Sequence, residues 1–163
     1  MARIEEPAGV EVWRAFLRTH AAVLRRLERD LERAQNLPLA WYDVLLELNS
    51  APGRRLRMQE LSGRVVLSRS RVSRLVDDLV RAGLVRREPD PSDGRAAFAV
   101  ITNAGRDALR RAAPVYLHGI EEQFLAHLTE DELRTIDAGL TRVLAAQRTV
   151  DERDREQEPA RGR

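Results

Sequence analysis

Residues 61–102 read LSGRVVLSRSRVSRLVDDLVRAGLVRREPDPSDGRAAFAVIT. The middle of this stretch repeats apolar residues at the i, i+3, i+4, i+7 spacing of one helix face, namely Val72, Leu75, Val76 and Leu79. Ser68 precedes that repeat where an N-cap hydroxyl would accept from the first free backbone N–H groups. Gly83 follows the repeat, at the left-handed position that often ends a helix. The pattern therefore predicts an amphipathic helix between Ser68 and Gly83.

Further elements are expected on both sides of this helix. Upstream, Met58, Leu61 and Val65 have helical spacing, and Val66 and Leu67 form a connection as short as that of a helix-turn-helix. Downstream, residues 84–88 and 96–101 have the composition of short strands, joined over residues 89–95 by the turn-rich sequence PDPSDGR. Residues 54–57 could supply a third strand. Together these elements predict a winged helix-turn-helix.

The polar face of the central helix has the chemistry of a DNA-binding surface. Arginine can bind guanine edges or phosphates, serine hydroxyls can bind either, and a helix N-terminus attracts phosphate. A competing interpretation is the solvated face of an arginine-rich protein, but the capped helix, the upstream helix and the wing favour DNA. The predicted DNA-contacting residues are Ser68, Arg69, Ser70, Arg71, Ser73 and Arg74.

Charge is distributed unevenly along the chain. Residues 1–52 contain 7 arginines and 8 acidic residues, residues 53–111 contain 14 and 7, and residues 112–163 contain 7 and 11. The net charges are therefore −1, +7 and −4, and lysine is absent. This concentration of positive charge around the predicted helix-turn-helix favours a nucleic-acid partner for that part of the chain.

Composition excludes several other classes of protein. The 163 residues contain no cysteine, so disulfides, thiolate metal sites and thiol redox switches are excluded. No long apolar run or signal peptide is present, which predicts a cytoplasmic protein without a membrane partner. Phosphate-binding glycine loops and nucleophile motifs are also missing, so we expect neither an enzyme nor a bound cofactor. The histidines His118 and His127 are nine residues apart, which gives little support for a metal site.

Long helices are predicted outside the helix-turn-helix. One spans residues 10–35 with a single apolar stripe, and a second spans residues 39–49. Another begins near Thr102 and reaches towards Leu128. The last begins at Thr129, where Thr129 and Glu132 form a capping box, and a charged, apolar-poor tail from Thr149 onwards is expected to be disordered.

Taken together, these elements resemble the multiple-antibiotic-resistance regulator (MarR) family of bacterial transcription factors. The resemblance covers roughly residues 10–148. Its most specific part is the wing signature Asp93-x-Arg95, followed by a strand and the helix start Thr102-x-x-Gly105. The other matching segments are Tyr42–Leu48, Gln59–Ser62 and Ser68–Arg87.

This resemblance implies a mainly α (α+β) fold and a separate role for each of four consecutive segments of the chain. Residues 1–35 would be an N-terminal arm and dimerisation helix, residues 36–101 the DNA-binding region, residues 102–148 the C-terminal dimerisation helices and residues 149–163 the tail. The implied function is that of a homodimeric repressor that binds a pseudo-palindromic operator in double-stranded DNA. Arg95 would contact DNA at the wing tip, and Asp93 would brace Arg95 or a neighbouring helix. The alternative is a winged-helix module that binds protein instead of DNA.

The resemblance also implies a small-molecule effector, aromatic or phenolic, bound between the dimer helices and the DNA-binding region. Trp13, His20 and Tyr42 are the candidate contacts for such a ligand. Trp13 and His20 lie on the apolar stripe of the first helix, where core or dimer packing is the more common role of such residues. The sensing of oxidants through a cysteine in the first helix, found in some members, is not available to this chain.

Overall fold

The computed structural model describes residue 7 and residues 9–65 and 68–157 of the chain. Side chains at positions 69, 94, 95 and 148–157 lie outside this description. The helices and strands occur in the order α1 Val10–Gln35, α2 Leu39–Ser50, β1 Arg55–Arg57, α3 Met58–Arg64, α4 Arg69–Arg81, β2 Val85–Asp90, β3 Asp93–Ile101, α5 Asn103–Gln123 and α6 Glu130–Gln157. This order confirms the predicted mainly α fold with a winged helix-turn-helix. The connection predicted at Val66 and Leu67 lies outside the described residues.

The chain divides into two compact units, Met1–Gln123 and Phe124–Arg163. In the first unit one apolar core joins α1, α2, α4, the sheet and α5. Gly119 of α5 faces Leu27 of α1, and a Cβ at that glycine would lie only 2.5 Å from Leu27 Cδ2. The absence of a side chain there lets the two long helices approach closely. The core includes Leu27, Leu31, Leu45, Leu48, Val72, Val76, Leu79 and Leu109.

A small antiparallel sheet of order β1-β3-β2 forms the wing and its base. The predicted third strand is confirmed, since Arg55–Arg57 pairs with residues 98–100 of β3. The wing turn is much tighter than predicted: the strands continue through Asp90 and from Asp93, so Pro91 and Ser92 alone separate them. Pro89 has no N–H to donate. It is tolerated within β2 because β2 is an edge strand of this sheet, where one side of the strand needs no hydrogen bonds to a neighbour.

The helix α5 begins as predicted but ends earlier. Thr102 Oγ1 accepts a hydrogen bond from the Gly105 amide at 3.0 Å, as an N-cap residue does. The expected extension towards Leu128 is wrong, because the helix ends at Gln123 and Phe124 leaves the helical region with φ −138° and ψ −61°. A 3₁₀ turn at Leu125–His127 then leads into the next helix.

The second unit contains α6, whose start was predicted and whose end was not. Thr129 and Glu132 form the expected capping box: the Thr129 amide donates to Glu132 Oε2 at 2.8 Å and the Glu132 amide to Thr129 Oγ1 at 3.4 Å. The disordered tail predicted from Thr149 is corrected in part, because the helix continues to Gln157. Glutamate, arginine and glutamine dominate this stretch and have high intrinsic helix propensity. The remaining residues, 158–163, lie outside the described part.

Among the helices that the structure describes, none is long and apolar enough to cross a membrane.

Candidate nucleic-acid interface

The helix α4 presents one apolar and one polar face as its sequence predicts. Val72, Val76 and Leu79 are completely buried against the core. On the opposite side Ser70, Arg71 and Arg74 are exposed, together with Asp77 and Arg81 further along the helix. The buried residues fix the rotation of the helix about its axis, and this rotation directs the arginines of its first turns into solvent.

The serines of this helix differ in their surroundings. Ser68 is the N-cap residue as predicted. The prediction that its hydroxyl accepts a hydrogen bond from a backbone N–H is wrong. It lies instead 3.4 Å from the Ser70 hydroxyl, so both oxygens remain at the exposed helix start. Ser73 is partly buried and lies 3.4 Å from Arg87 Nη2 of the wing. Ser68 and Ser70 are therefore better placed than Ser73 to meet an external partner.

Some arginines of α4 and the neighbouring β2 form an ion pair with a carboxylate, and others do not. Arg81, at the C-terminal end, forms an ion pair with Asp78, and Arg87 of β2 donates to Asp77 at 2.9 Å. Arg71 and Arg74, by contrast, form no ion pair with any side chain that the structure describes, and Arg74 makes a 3.4 Å contact to the Ser70 carbonyl. An unpaired guanidinium can bind a phosphate or a base edge without first giving up a protein partner. The predicted contact at Arg69 falls on a side chain outside the described residues.

The wing, residues 85–101, is organised around a buried carboxylate that the sequence did not indicate. Asp90 Oδ1 accepts from the Ser92 amide at 2.9 Å and from the Ser92 hydroxyl at 2.7 Å. Its Oδ2 lies 2.7 Å from Arg57 Nε, and only 2% of the Asp90 side chain is exposed. The hydrogen bonds from Ser92, and then the charge of Arg57, hold the pKa of this carboxyl below its usual range.

The residues predicted at the wing tip remain predictions. The side chain of Arg95 lies outside the described part of the structure. Asp93 opens β3 opposite Asp90 in the strand register, and its predicted role as a brace is not decided by that position. The brace that the structure describes is Asp90, three residues earlier. The sequence predicts a turn at Asp90, where an aspartate usually bonds only to the backbone of its near neighbours.

One face of the sheet carries two arginines that are not among the predicted DNA-contacting residues. Arg55 and Arg57 lie over the ring of Phe98, with guanidinium carbons 4.7 and 5.8 Å from its centroid. Glu88 of β2 pairs with Arg55 at 3.7 Å and also with Arg86. The alternation Arg55-Leu56-Arg57, with Leu56 buried, was the available signal that both arginines share one face.

The predicted ligand contacts separate into two groups. Trp13 and His20 both lie on the exposed side of α1, with ring centroids 5.8 and 6.1 Å from that of Phe16. Tyr42 is buried in α2, and its ring lies 4.4 Å from that of Tyr116 of α5. Burial, followed by the neighbouring Tyr116 and Asp43, raises the pKa of Tyr42 to about 12, so its hydroxyl stays neutral.

Among the described residues, no three histidine, aspartate or glutamate side chains lie close enough together to hold a metal ion.

Known proteins resemble this chain over most of its length. The model of the MarR family matches residues 35–96. Sco3205 of Streptomyces coelicolor, a MarR family transcriptional regulator crystallised in complex with DNA, is 33% identical with a TM-score of 0.79 over 89% of this chain and 90% of that one. AbsC, a MarR family transcriptional regulator of the same organism, is 30% identical with a TM-score of 0.81 over 91% and 99%. YkoM of Bacillus subtilis, an uncharacterised HTH-type transcriptional regulator, is 28% identical over 128 residues, 78% of this chain and 80% of its own.

Proposed function

Because this chain belongs to the MarR family of DNA-binding transcriptional regulators, we propose that it is a homodimeric repressor of a pseudo-palindromic operator. The observation that carries this proposal is the exposed pair Arg71 and Arg74 on a helix whose opposite face is buried. Each protomer would insert α4, as its recognition helix, into the major groove of one half-site. The two half-sites would then lie about 10 base pairs apart, one turn of DNA.

The pairing of arginines supports the recognition helix as the DNA-binding element. Arg64, Arg81 and Arg87 each have a carboxylate within 4 Å, and such a pair must be given up or shared when DNA binds. Arg71 and Arg74 have no carboxylate partner among the described side chains, and the 3.4 Å contact of Arg74 with the Ser70 carbonyl is the one protein contact that DNA would have to replace there. The crystal structure of Sco3205 in complex with DNA supports the same partner for this chain.

Exposed apolar side chains on α1 support the homodimer. Trp13 is 58% exposed, Phe16 40% and Leu17 44%, although they form one continuous stripe of the helix. In the second unit α6 leaves Leu140, Val143 and Leu144 exposed on one face. Exposed apolar stripes of this kind indicate a protein partner. In a two-fold symmetric dimer the stripe of one chain would pack against the same stripe of the second copy.

The effector is a further part of the proposal. Trp13 and His20 flank Phe16 on α1 and offer aromatic faces to a small aromatic or phenolic ligand. Addition of phenolic acids to the protein–operator complex is expected to lower the anisotropy of a labelled operator. The same titration with His20→Ala should require more ligand, and His20 is chosen because Trp13 also belongs to the proposed dimer stripe. Unchanged anisotropy up to millimolar ligand in the wild-type protein would remove this class of effector.

The decisive experiment is selection of genomic fragments with the purified full-length protein, followed by footprinting across a salt series. We expect a protected site with two-fold symmetry and an affinity that falls steeply with salt, because phosphate contacts release bound cations. Failure of a folded dimer to enrich any fragment at low salt would contradict DNA binding. That outcome would favour a winged-helix module that binds protein.

A further inference from the structure

Asp90 connects the wing turn to a distant part of the chain. One of its oxygens accepts both the amide and the hydroxyl of Ser92, which closes the two-residue turn. The other oxygen is paired with Arg57 at 2.7 Å, and Arg57 Nη2 also donates to the Ser92 hydroxyl at 3.1 Å. The three side chains form one closed group, of which Asp90 is the buried member.

Arg57 belongs to the base of the helix-turn-helix. It is the last residue of β1, and its backbone amide donates to Glu60 Oε2 at 3.2 Å at the start of α3. Its side chain passes along the ring of Phe98, its partner in the strand register. The ion pair with Asp90 therefore joins the turn of the wing to the residue that precedes α3.

The outer part of the wing is a two-stranded ribbon. The strand β1 pairs with β3 at residues 98–100 and ends there, so residues 93–97 of β3 have β2 as their strand neighbour. The pairing of β2 with β3 shifts between Pro89 and Asp90, and Pro89 has no amide to donate. An isolated two-stranded ribbon is marginally stable in water. The outer wing thus depends on a contact that fixes its turn to the rest of the domain.

We propose that the ion pair between Arg57 and Asp90 tethers the wing turn and holds the wing in its DNA-binding position. Arg57 and Asp90 are then positioning residues that act through the wing, and neither needs to touch DNA. This inference rests on the proposed DNA contact of the wing, at Arg95. The proposal predicts that the Asp90 carboxylate strengthens DNA binding, although its negative charge by itself would weaken it.

A competing explanation is that Arg57 attracts DNA phosphates directly. The two explanations predict opposite effects when the negative charge of Asp90 is removed. If Arg57 simply attracted phosphates, Asp90→Asn would remove a negative charge near the DNA and strengthen binding. If the tether matters, the same substitution weakens binding, because asparagine carries no negative charge and, while its oxygen accepts from Ser92, turns an NH2 donor instead of an acceptor towards Arg57. The sign of the change in affinity for Asp90→Asn therefore distinguishes the two explanations.

The test measures the affinity of full-length variants for the footprinted operator by fluorescence anisotropy at fixed salt. Asp90→Asn and Arg57→Gln are each expected to bind about tenfold more weakly than the wild-type protein. The double variant should bind no more weakly than Arg57→Gln alone, because both substitutions break the same contact. Binding by Asp90→Asn that equals or exceeds that of the wild type would overturn the proposal.

Arg55→Gln is the matched control. Arg55 lies on the same strand and the same sheet face as Arg57, with 48% of its side chain exposed against 46%. It also lies over Phe98, but its partner is Glu88 within β2 rather than a residue of the turn. Because both substitutions remove one positive charge, a smaller loss for Arg55→Gln isolates the tether from charge. Equal losses in the two variants would count against it.

A second measurement, amide hydrogen exchange of the free protein, does not depend on DNA binding. In Asp90→Asn, the amides of residues 90–97 should exchange faster than in the wild type, while those of the recognition helix stay unchanged. Ser92→Ala keeps every charge and should give a smaller acceleration, which covers the case that Asp90→Asn does not fold. Unchanged exchange in both variants would overturn the tether. Faster exchange in the variants, combined with a wild-type protein that binds no DNA, would instead overturn only the proposed function.

Discussion

The surroundings of Asp43 in α2 disfavour the ionised form of its carboxyl group. Partial burial is the largest cause, followed by the nearby carboxylates of Glu47 and Glu28, and together they raise its pKa from 3.8 to about 6. A group with a raised pKa binds its proton more tightly in the folded chain than in the unfolded chain. Its contribution to the free energy of unfolding is therefore highest below pH 4, falls as the pH rises towards 6, and stays low above that.

Asp43→Asn should remove this penalty. At pH 8 we expect the variant to be more stable than the wild type by about 1–2 kcal/mol, a value reduced for the solvent that reaches the group. The difference should shrink as the pH falls from 6 to 4. Urea unfolding at several pH values measures it, and a difference that is constant across that range would contradict the assignment.

Gly105 allows the start of α5 to lie directly against the chain that precedes the wing. A Cβ at this position would lie 2.2 Å from the carbonyl oxygen of Leu84 and 2.9 Å from Ile101 Cγ1. The Leu84 carbonyl cannot easily move, because it accepts from the Thr102 amide at 3.0 Å and from the Thr102 hydroxyl at 3.0 Å.

Gly105→Ala should therefore lower the free energy of unfolding by about 1–3 kcal/mol, the range typical of overpacking. Gly63→Ala is the control, since a Cβ at that helical glycine meets no atom within 4 Å. It should be neutral or stabilise α3 by up to about 1 kcal/mol. Denaturant unfolding measures both, and equal effects would show that the close contact at Gly105 relaxes.

Among the elements, the recognition helix provides the most direct test of DNA binding. Arg71→Ala and Arg74→Ala should each weaken operator binding by about 1–3 kcal/mol if the side chain binds a base. Arg81→Ala removes the same charge from the same helix, but Arg81 is already paired with Asp78, so its loss should be smaller. Anisotropy titrations compare the three, and full affinity in both Arg71→Ala and Arg74→Ala would exclude this face as the DNA-binding surface.

The wing is tested by the salt dependence of binding. If Arg95 contacts the DNA backbone, Arg95→Ala should lower the slope of log affinity against log salt by about one. Arg86→Ala, in the strand β2 and paired with Glu88, should change that slope less. An unchanged slope for Arg95→Ala would mean that this residue neutralises no phosphate.

The elements also differ in how well the sequence predicted them. The apolar repeat of Val72, Val76 and Leu79 predicts α4, because helical burial leaves a periodic signal, and Ser68 and Gly83 predict its ends. The wing turn was predicted as seven loop residues because PDPSDGR has the composition of a loop. Asp90 bonds locally to Ser92, but it is also paired with Arg57, and a contact between residues so distant in sequence leaves no local pattern.

At the scale of the whole molecule, the exposed stripe of α1 predicts self-association. Trp13→Glu should weaken dimerisation about tenfold or more, since buried tryptophans often dominate interfaces. Ala15→Glu is the control, because Ala15 is exposed on the other side of the same helix. Analytical ultracentrifugation over a dilution series measures both. A Trp13→Glu protein that stays dimeric at the same concentrations as the control would mean that this stripe is not the interface.

The order and approximate bounds of the long helices were predictable because each buries or displays an apolar stripe. The end of α5 at Gln123 was not, because no glycine or proline follows it in residues 124–128. The continuation of α6 to Gln157 was not either, because charged helix-forming residues are equally common in helices and in disordered tails. The assignment of Trp13 and His20 stays a prediction for a related reason. An aromatic stripe looks the same in sequence whether a ligand or a second chain covers it.

The exposed stripe of α1 has a consequence for gene dosage. If only the paired chain occupies the operator, then at concentrations where most chains are single the number of pairs grows with the square of the amount of protein. While most of the operator is free, a doubling of the regulator would then raise occupancy about fourfold, and a fall in its synthesis would lower occupancy more than proportionally. The apolar surface of Trp13, Phe16 and Leu17 would thereby make repression sensitive to copy number, with or without any ligand.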